Sequence, residues 1–199
     1  IAGVGAAMAL SGGGFSRERA LELAVAMEGH PDNVAPALLG GLVSSFVDGD
    51  LTTSTRMDVA GNLRFVAVAP PYEVRTADAR RVLPEEVSRE TAVWQMGRCV
   101  AMVRALELGD AGLLSSACHD RLHEPYRAKL IPDYEILRSA ALEAGACAFF
   151  ISGSGSTMIA VADGDAAAAR VASAFADACP GYWLQTLPAN TLGTTVEVH

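Results

Sequence analysis

Three short blocks hold residues whose types and spacing could act on a small polar substrate. The first is E-G-H-P-D-N at residues 28–33. Pro31 fixes the backbone near the start of a short helix, so the spacing predicts Asp32 and Asn33 in its first turn, where amide N–H groups lack helical partners. An imidazole (His30), a carboxylate and an amide converging there could orient a hydroxyl or an amine. The same residues are also ordinary helix-start vocabulary, and taken alone that plainer reading is preferred.

The second block is S-G-S-G-S-T at residues 152–157, directly after an apolar run. Gly153 and Gly155 let the backbone approach a ligand closely, and successive N–H groups can form a nest for an anion. A simple hairpin turn uses the same residues. The block has neither the lysine of a P-loop nor G-x-G-x-x-G spacing.

The third is a pair of arginine sites. Thr76 and Arg80 lie four apart and share a face if their segment is helical. Arg127 stands in L-H-E-P-Y-R, read as irregular chain. A guanidinium fork pairs with both oxygens of a carboxylate, although most arginines are solvated surface charges. Glu22 sits among apolar neighbours in A-L-E-L-A-V-A-M. A carboxylate covered on all sides needs a cation, but Glu18 on the same stripe makes a solvent face an equal explanation. His119 and His123 have i, i+4 spacing without a third ligand, so no metal is assigned to them.

The elements that must position these residues alternate between helix and strand. Ala-rich residues 1–10 read as a helix ended by glycines, and 15–28 as a second helix with Ser16 as its cap. Strand character follows at 42–47, 51–56 and 63–69. Residues 76–108 read as helical with a break at Pro84, 111–123 as a shorter helical piece, and 133–144 as a helix capped by Asp133. A strand at 146–152, the glycine turn, a strand at 157–162, a helix at 165–178 and a strand at 182–187 complete the order. With the helices of 76–123 set aside, residues from 63 onward run β, α, β, β, α, β, the split βαβ or ferredoxin-like order.

Composition bounds the function. The 199 residues are 51% hydrophobic and 19% charged, enough for a packed core. The net charge of −8 argues against a nucleic-acid partner, and any anion site must be built from local donors. No apolar run is long enough for a membrane span. Four widely spaced cysteines fit a reducing, cytoplasmic setting. The opening helix has no start signal, so further sequence is expected upstream.

Taken together, the blocks resemble the homoserine kinases of the GHMP small-molecule kinase superfamily. Residues 28–41, E-G-H-P-D-N-V-A-P-A-L-L-G-G, are similar to the segment carrying that family's substrate-facing Asp or Asn. T-A-D-A-R-R-V-L-P at 76–84 resembles its T-x-x-A-R-x-x-L-P block, and H-E-P-Y-R with Pro132 its substrate-arginine region. S-G-S-G-S-T resembles the third motif S-G-S-G-P-[ST], with Ser156 in place of the proline. The family's G-L-G-S-S-A phosphate loop is not in this sequence and is expected immediately before Ile1, so this chain alone is expected to be inactive.

The resemblance implies an α+β GHMP kinase fold. Residues 1–58 would be the end of the N-terminal, ATP-binding domain, and 59–199 a ferredoxin-like C-terminal domain. It implies ATP-dependent phosphorylation of L-homoserine to O-phospho-L-homoserine, with ATP and Mg²⁺, on the way to threonine; a homodimer is left open. Glu22 would be a Mg²⁺ ligand. Arg80 and Arg127, with Thr76 and His30, would bind the homoserine carboxylate. Asp32 and Asn33 would hold the amine and the attacking hydroxyl, and Gly153 and Gly155 would bring backbone against substrate and phosphate. Since an amide takes no proton usefully, positioning without a dedicated base is expected, with Asp32 as the alternative base. A mevalonate-type GHMP kinase and a non-catalytic binding module are the competing readings.

Overall fold

The computed structural model describes residues 1–12, 14–49 and 51–197. Gly13, one of the glycines expected to end the first helix, lies outside them. The chain divides into two compact units: Ile1–Val59 with the segment from Ala189 onward, and Ala60–Pro188.

The first unit contains α1 (Ala2–Leu10), α2 (Arg17–Glu28), α3 (Val34–Leu39), β1 (Leu42–Asp48) and β2 (Leu51–Met57). Ser16 caps α2, its hydroxyl accepting from the Arg19 N–H at 3.3 Å, and Gly29 closes the helix at φ 86°. Ala20, Ala24, Val34, Ala35 and Leu38 bury the facing sides of α2 and α3. The hairpin of β1 and β2 is antiparallel, with Leu42 opposite Met57.

Residues from Ala189 return to this unit. The Gly41 N–H donates to the Asn190 carbonyl at 2.6 Å, and the Thr194 N–H to that of Leu38 at 3.1 Å. A Cβ on Gly40 would lie 2.4 Å from the Gly193 nitrogen, so the approach requires glycine. A division at 58/59 alone does not contain this return.

One expectation for α3 is corrected. The helix begins at Val34, with Asn33 as its N-cap residue, so Asp32 and Asn33 precede the first turn. The turn that holds them is nonetheless helical in form, since the Ala35 N–H donates to the Pro31 carbonyl at 2.8 Å, and the Asp32 carboxylate accepts from the Asn33 N–H at 2.9 Å.

The second unit is built on a sheet of β3 (Leu63–Ala69), β4 (Ala148–Ile151), β5 (Met158–Asp163) and β6 (Trp183–Leu187). Its spatial order is β4-β5-β3-β6, antiparallel throughout. With α8 (Tyr134–Glu143) between β3 and β4 and α9 (Gly164–Ala178) between β5 and β6, this is the ferredoxin-like arrangement of an α+β fold. The central strand β3 pairs on both edges, and its Leu63, Val66, Ala67 and Val68 are all buried.

Helical spacing turns Leu137 and Ala141 of α8, and Ala167, Val171 and Phe175 of α9, into the core. The ring of Phe149 lies 5.5 Å from Tyr134 and 6.2 Å from Phe175, joining both helices to β4. Truncating the fully buried Phe175 to Ala would cost about 3–5 kcal/mol.

The remaining helices are α4 (Thr76–Arg81), α5 (Arg89–Leu108), α6 (Ala111–Ala117) and the single turn α7 (Glu124–Arg127), which runs into a 3-10 turn at Ala128–Leu130. Two expectations are corrected here. The helix expected over 111–123 stops at Ala117, because the Asp120 carboxylate captures the N–H groups of Leu122, His123 and Glu124 and forms a separate turn. Asp133 makes no side-chain cap on α8; the hydroxyls of Tyr72 and Tyr182 donate to its Oδ2 at 3.0 and 2.6 Å instead. Among the described residues, no helix is long and apolar enough to cross a membrane, and the four cysteines are free.

Candidate functional site

The arginine site of the second unit is assembled from α7 outward. Asp120 sets the start of α7 by accepting from the amides of Leu122 (2.5 Å), His123 (3.1 Å) and Glu124 (3.0 Å), and Pro125 fits the first helical turn. Arg127 therefore ends a one-turn helix and does not lie in irregular chain. Glu124, three residues earlier, anchors the turn in the fold. Its Oε1 accepts from the Ile151 N–H at 3.1 Å, and it is hydrogen-bonded with Tyr134. Burial pushes the Glu124 carboxyl above its ordinary range, against the lowering effect of these two bonds. Burial and the Glu124 carboxylate together raise the Tyr134 phenol.

Arg127 is held from two sides. Its Nη1 donates to the Gly153 carbonyl at 2.8 Å and its Nε to that of Ala79 at 3.3 Å. A guanidinium has five N–H donors, so others remain for an anion. Ala79 belongs to α4, which also carries Thr76 and Arg80. The Thr76 and Ser154 hydroxyls lie 3.5 Å apart. Arg80 is exposed, and its guanidinium makes no ion pair among the described residues.

The glycine block is the hairpin turn between β4 and β5, closed by the Ser152 N–H to the Thr157 carbonyl at 2.9 Å. Gly153 adopts φ 59° in open space, so its backbone is accessible. Gly155 adopts φ 86°, and a Cβ there would meet Ile131 Cδ1 at 3.0 Å. Ser156, which stands where the resembling motif has proline, is buried, and its hydroxyl donates to the Tyr72 carbonyl at 2.5 Å. That bond ties the turn to the segment leading into α4. Thr76, Arg127, Gly153 and Ser154 thus come together, with Arg80 one residue beyond the Ala79 contact.

The other candidates lie in the first unit. His30 Nδ1 and Asp32 Oδ1 are 2.5 Å apart, and Asp32 also accepts from the Asn33 N–H. Glu22 lies on the exposed face of α2 in an ion pair with Arg19 at 2.8 Å. It is not covered on all sides. The burial argument for a bound cation therefore does not hold for Glu22, whose carboxylate is engaged by Arg19.

Sequence reading passed over Glu124 and took Ser156 only as a replacement for the motif's proline. Glu124 had a signal: a carboxylate flanked by His and Pro in a segment already singled out for its arginine. Ser156 had only a departure from a motif.

Residues 102–181 match the family model for the C-terminal region of GHMP kinases. The homoserine kinase of Clostridium beijerinckii is 41% identical over 163 residues, covering 82% of this chain and 55% of that protein. That of Microchaete diplosiphon is 40% identical over 201 residues, covering 100% of this chain and 61% of that protein. The crystal structure of homoserine kinase from Cytophaga hutchinsonii superposes with a TM-score of 0.87 at 31% identity, covering 94% of this chain and 62% of that one. The chain spans a little over half the length of the curated relatives it matches. With the fold and the motifs in agreement, residues 102–181 match the C-terminal region of GHMP kinases, and the relatives that the chain resembles over most of its own length are homoserine kinases.

Proposed function

We propose that the protein containing this chain transfers the γ-phosphoryl group of ATP to the side-chain hydroxyl of L-homoserine, giving ADP and O-phospho-L-homoserine, a step toward threonine. One observation carries the reading: an arginine of the substrate-arginine block, Arg127, is fixed on the carbonyl of a glycine in the third motif, Gly153, at 2.8 Å. That contact leaves a preoriented guanidinium with donors to spare beside Thr76, a site suited to a carboxylate.

Residue roles follow from chemistry. In the Ala60–Pro188 unit Arg127 and Arg80, with Thr76, take the homoserine carboxylate; in the other unit His30 is assigned a substrate-binding role on the resemblance alone. Asp32 holds the amine, and Asn33 orients the attacking hydroxyl. Gly153 and Gly155 offer backbone to substrate and phosphate. The Ile1–Val59 unit, with the segment from Ala189 that returns to it, is assigned to the ATP-binding domain, and Ala60–Pro188 to the C-terminal domain. Glu22 is the residue assigned to Mg²⁺, which supplies charge neutralisation on the nucleotide phosphates when bound. The chain's own contribution is positioning: phosphoryl transfer needs an aligned acceptor oxygen more than a strong base.

The test is product identification with the purified full-length gene product, ATP and Mg²⁺, offering L-homoserine and mevalonate in parallel. O-Phosphohomoserine from the first and no product from the second is expected. Phosphorylation of mevalonate in preference to homoserine would overturn the assignment.

A further inference from the structure

The helix α5 of the Ala60–Pro188 unit is thinly covered by the rest of the chain: of its 20 residues only Ala105 is buried. Val93 is 61% exposed, Met96 66%, Val100 73% and Leu108 54%. At 3.6 residues per turn Val93, Gly97, Val100 and Arg104 fall on one stripe, with Met96 on its flank and Leu108 toward its end. A solvated helix face carries polar side chains, whereas the middle of this one is apolar over two turns. Gly97 sits at its centre, where an added Cβ would meet nothing within 4 Å, so another helix can approach the backbone closely there.

Charges close both ends of the stripe. Arg89 and Glu90 stand at the start of α5, exposed and without an ion pair among the described residues. Arg104 and Glu107 stand near its end, 3.5 Å apart. Glu90 and Arg104 are each seven residues, two helical turns, from Gly97 and therefore share its face. An antiparallel copy of α5, related by a two-fold axis near Gly97, brings Glu90 opposite Arg104 of the other copy and Arg89 close to its Glu107. Val93 then faces Val100 of the other copy, and every contact is made twice. A parallel alignment would set Glu90 on Glu90 and Arg104 on Arg104. The charges thus favour a second copy of this chain and fix its direction.

We propose that α5 is a homodimer interface, on which a second copy docks antiparallel through the Val93–Gly97–Val100 stripe with a Glu90–Arg104 pair at each end. The proposal is independent of the kinase reading, because oligomeric state is measured without substrate.

Analytical ultracentrifugation of the purified full-length gene product across a concentration series tests it. A dimer is expected. Val100→Glu puts a charge into the middle of the stripe at a solvent-facing position, and should weaken dimerisation at least about tenfold with an unchanged urea midpoint at low protein concentration. Glu90→Lys and Arg104→Glu each oppose like charges across the two-fold and should each weaken the dimer, whereas the two together should restore it toward wild type. A monomeric wild type, a dimer indifferent to Val100→Glu, or a double charge variant no tighter than either single would each overturn the proposal.

Discussion

Arg127 donates from Nη1 to the Gly153 carbonyl oxygen at 2.8 Å, so the arginine proposed to grip a substrate carboxylate is also a strut of the glycine turn. Its Nε contact to the Ala79 carbonyl extends the strut to α4. Arg127→Ala should therefore destabilise the protein by about 1.5–3 kcal/mol, the range for hydrogen bonds from a charged donor. The shift in urea midpoint measures it. An unchanged midpoint would mean that these contacts contribute nothing in solution.

The Tyr72–Asp133–Tyr182 cluster makes a second stability prediction. Either hydroxyl alone keeps Asp133 Oδ2 bonded, whereas losing both leaves that oxygen without a protein donor. Tyr72→Phe and Tyr182→Phe should each cost about 0.5–1.5 kcal/mol, and the double variant should cost more than their sum. A double-mutant cycle by chemical denaturation reads the coupling. Strict additivity would show that the two bonds act independently.

Much of this molecule was legible in the chain. The run of Leu63 to Ala69 and the order of elements after it point to the ferredoxin-like core, because a near-continuous apolar run marks a strand buried on both faces. Residues whose side chains bond to distant backbone were not legible. Asp133 looks like a helix cap in sequence, and only the fold brings Tyr72 and Tyr182 to it. Asp120 looks like an ordinary turn residue, yet it redirects a helix boundary by capturing nearby amides. Arg127 could be picked out by type and neighbourhood; the Gly153 and Ala79 carbonyls that hold it lie 26 and 48 residues away.

Glu124 carries a pH-dependent prediction. Burial raises its carboxyl above the unfolded range, so the folded chain binds this proton more readily than the unfolded chain. The stability it contributes is complete below the unfolded range and is lost as the pH rises through the folded value. Glu124→Gln keeps an acceptor for the Ile151 N–H and removes the charge. The variant should be more stable than wild type near about pH 7, and the advantage should shrink toward about pH 4.3, the ordinary glutamate value. Urea midpoints at the two pH values check the sign. A variant less stable than wild type at neutral pH would mean that the charged form is the favoured one.

Asp32 and Asn33 separate positioning from base catalysis. Asp32 is already engaged by His30 and by the Asn33 N–H, as suits a residue that holds an ammonium group. In the full-length gene product, Asp32→Asn should raise the homoserine KM more than it lowers kcat. Asn33→Ala should lower kcat with nucleotide binding nearly intact. A collapse of kcat by about 100-fold or more in Asp32→Asn at unchanged KM would make Asp32 the base.

The most direct measurement is the pair of Michaelis constants of the full-length gene product and its Arg127→Ala variant, for L-homoserine and for ATP. A bidentate, charge-assisted grip on the substrate carboxylate is worth about 1.5–3 kcal/mol, so kcat/KM for homoserine should fall about 10- to 100-fold, mostly through KM. The ATP KM should hardly move. Unchanged homoserine kinetics, or a loss falling equally on ATP, would contradict the assignment of Arg127 to the substrate carboxylate.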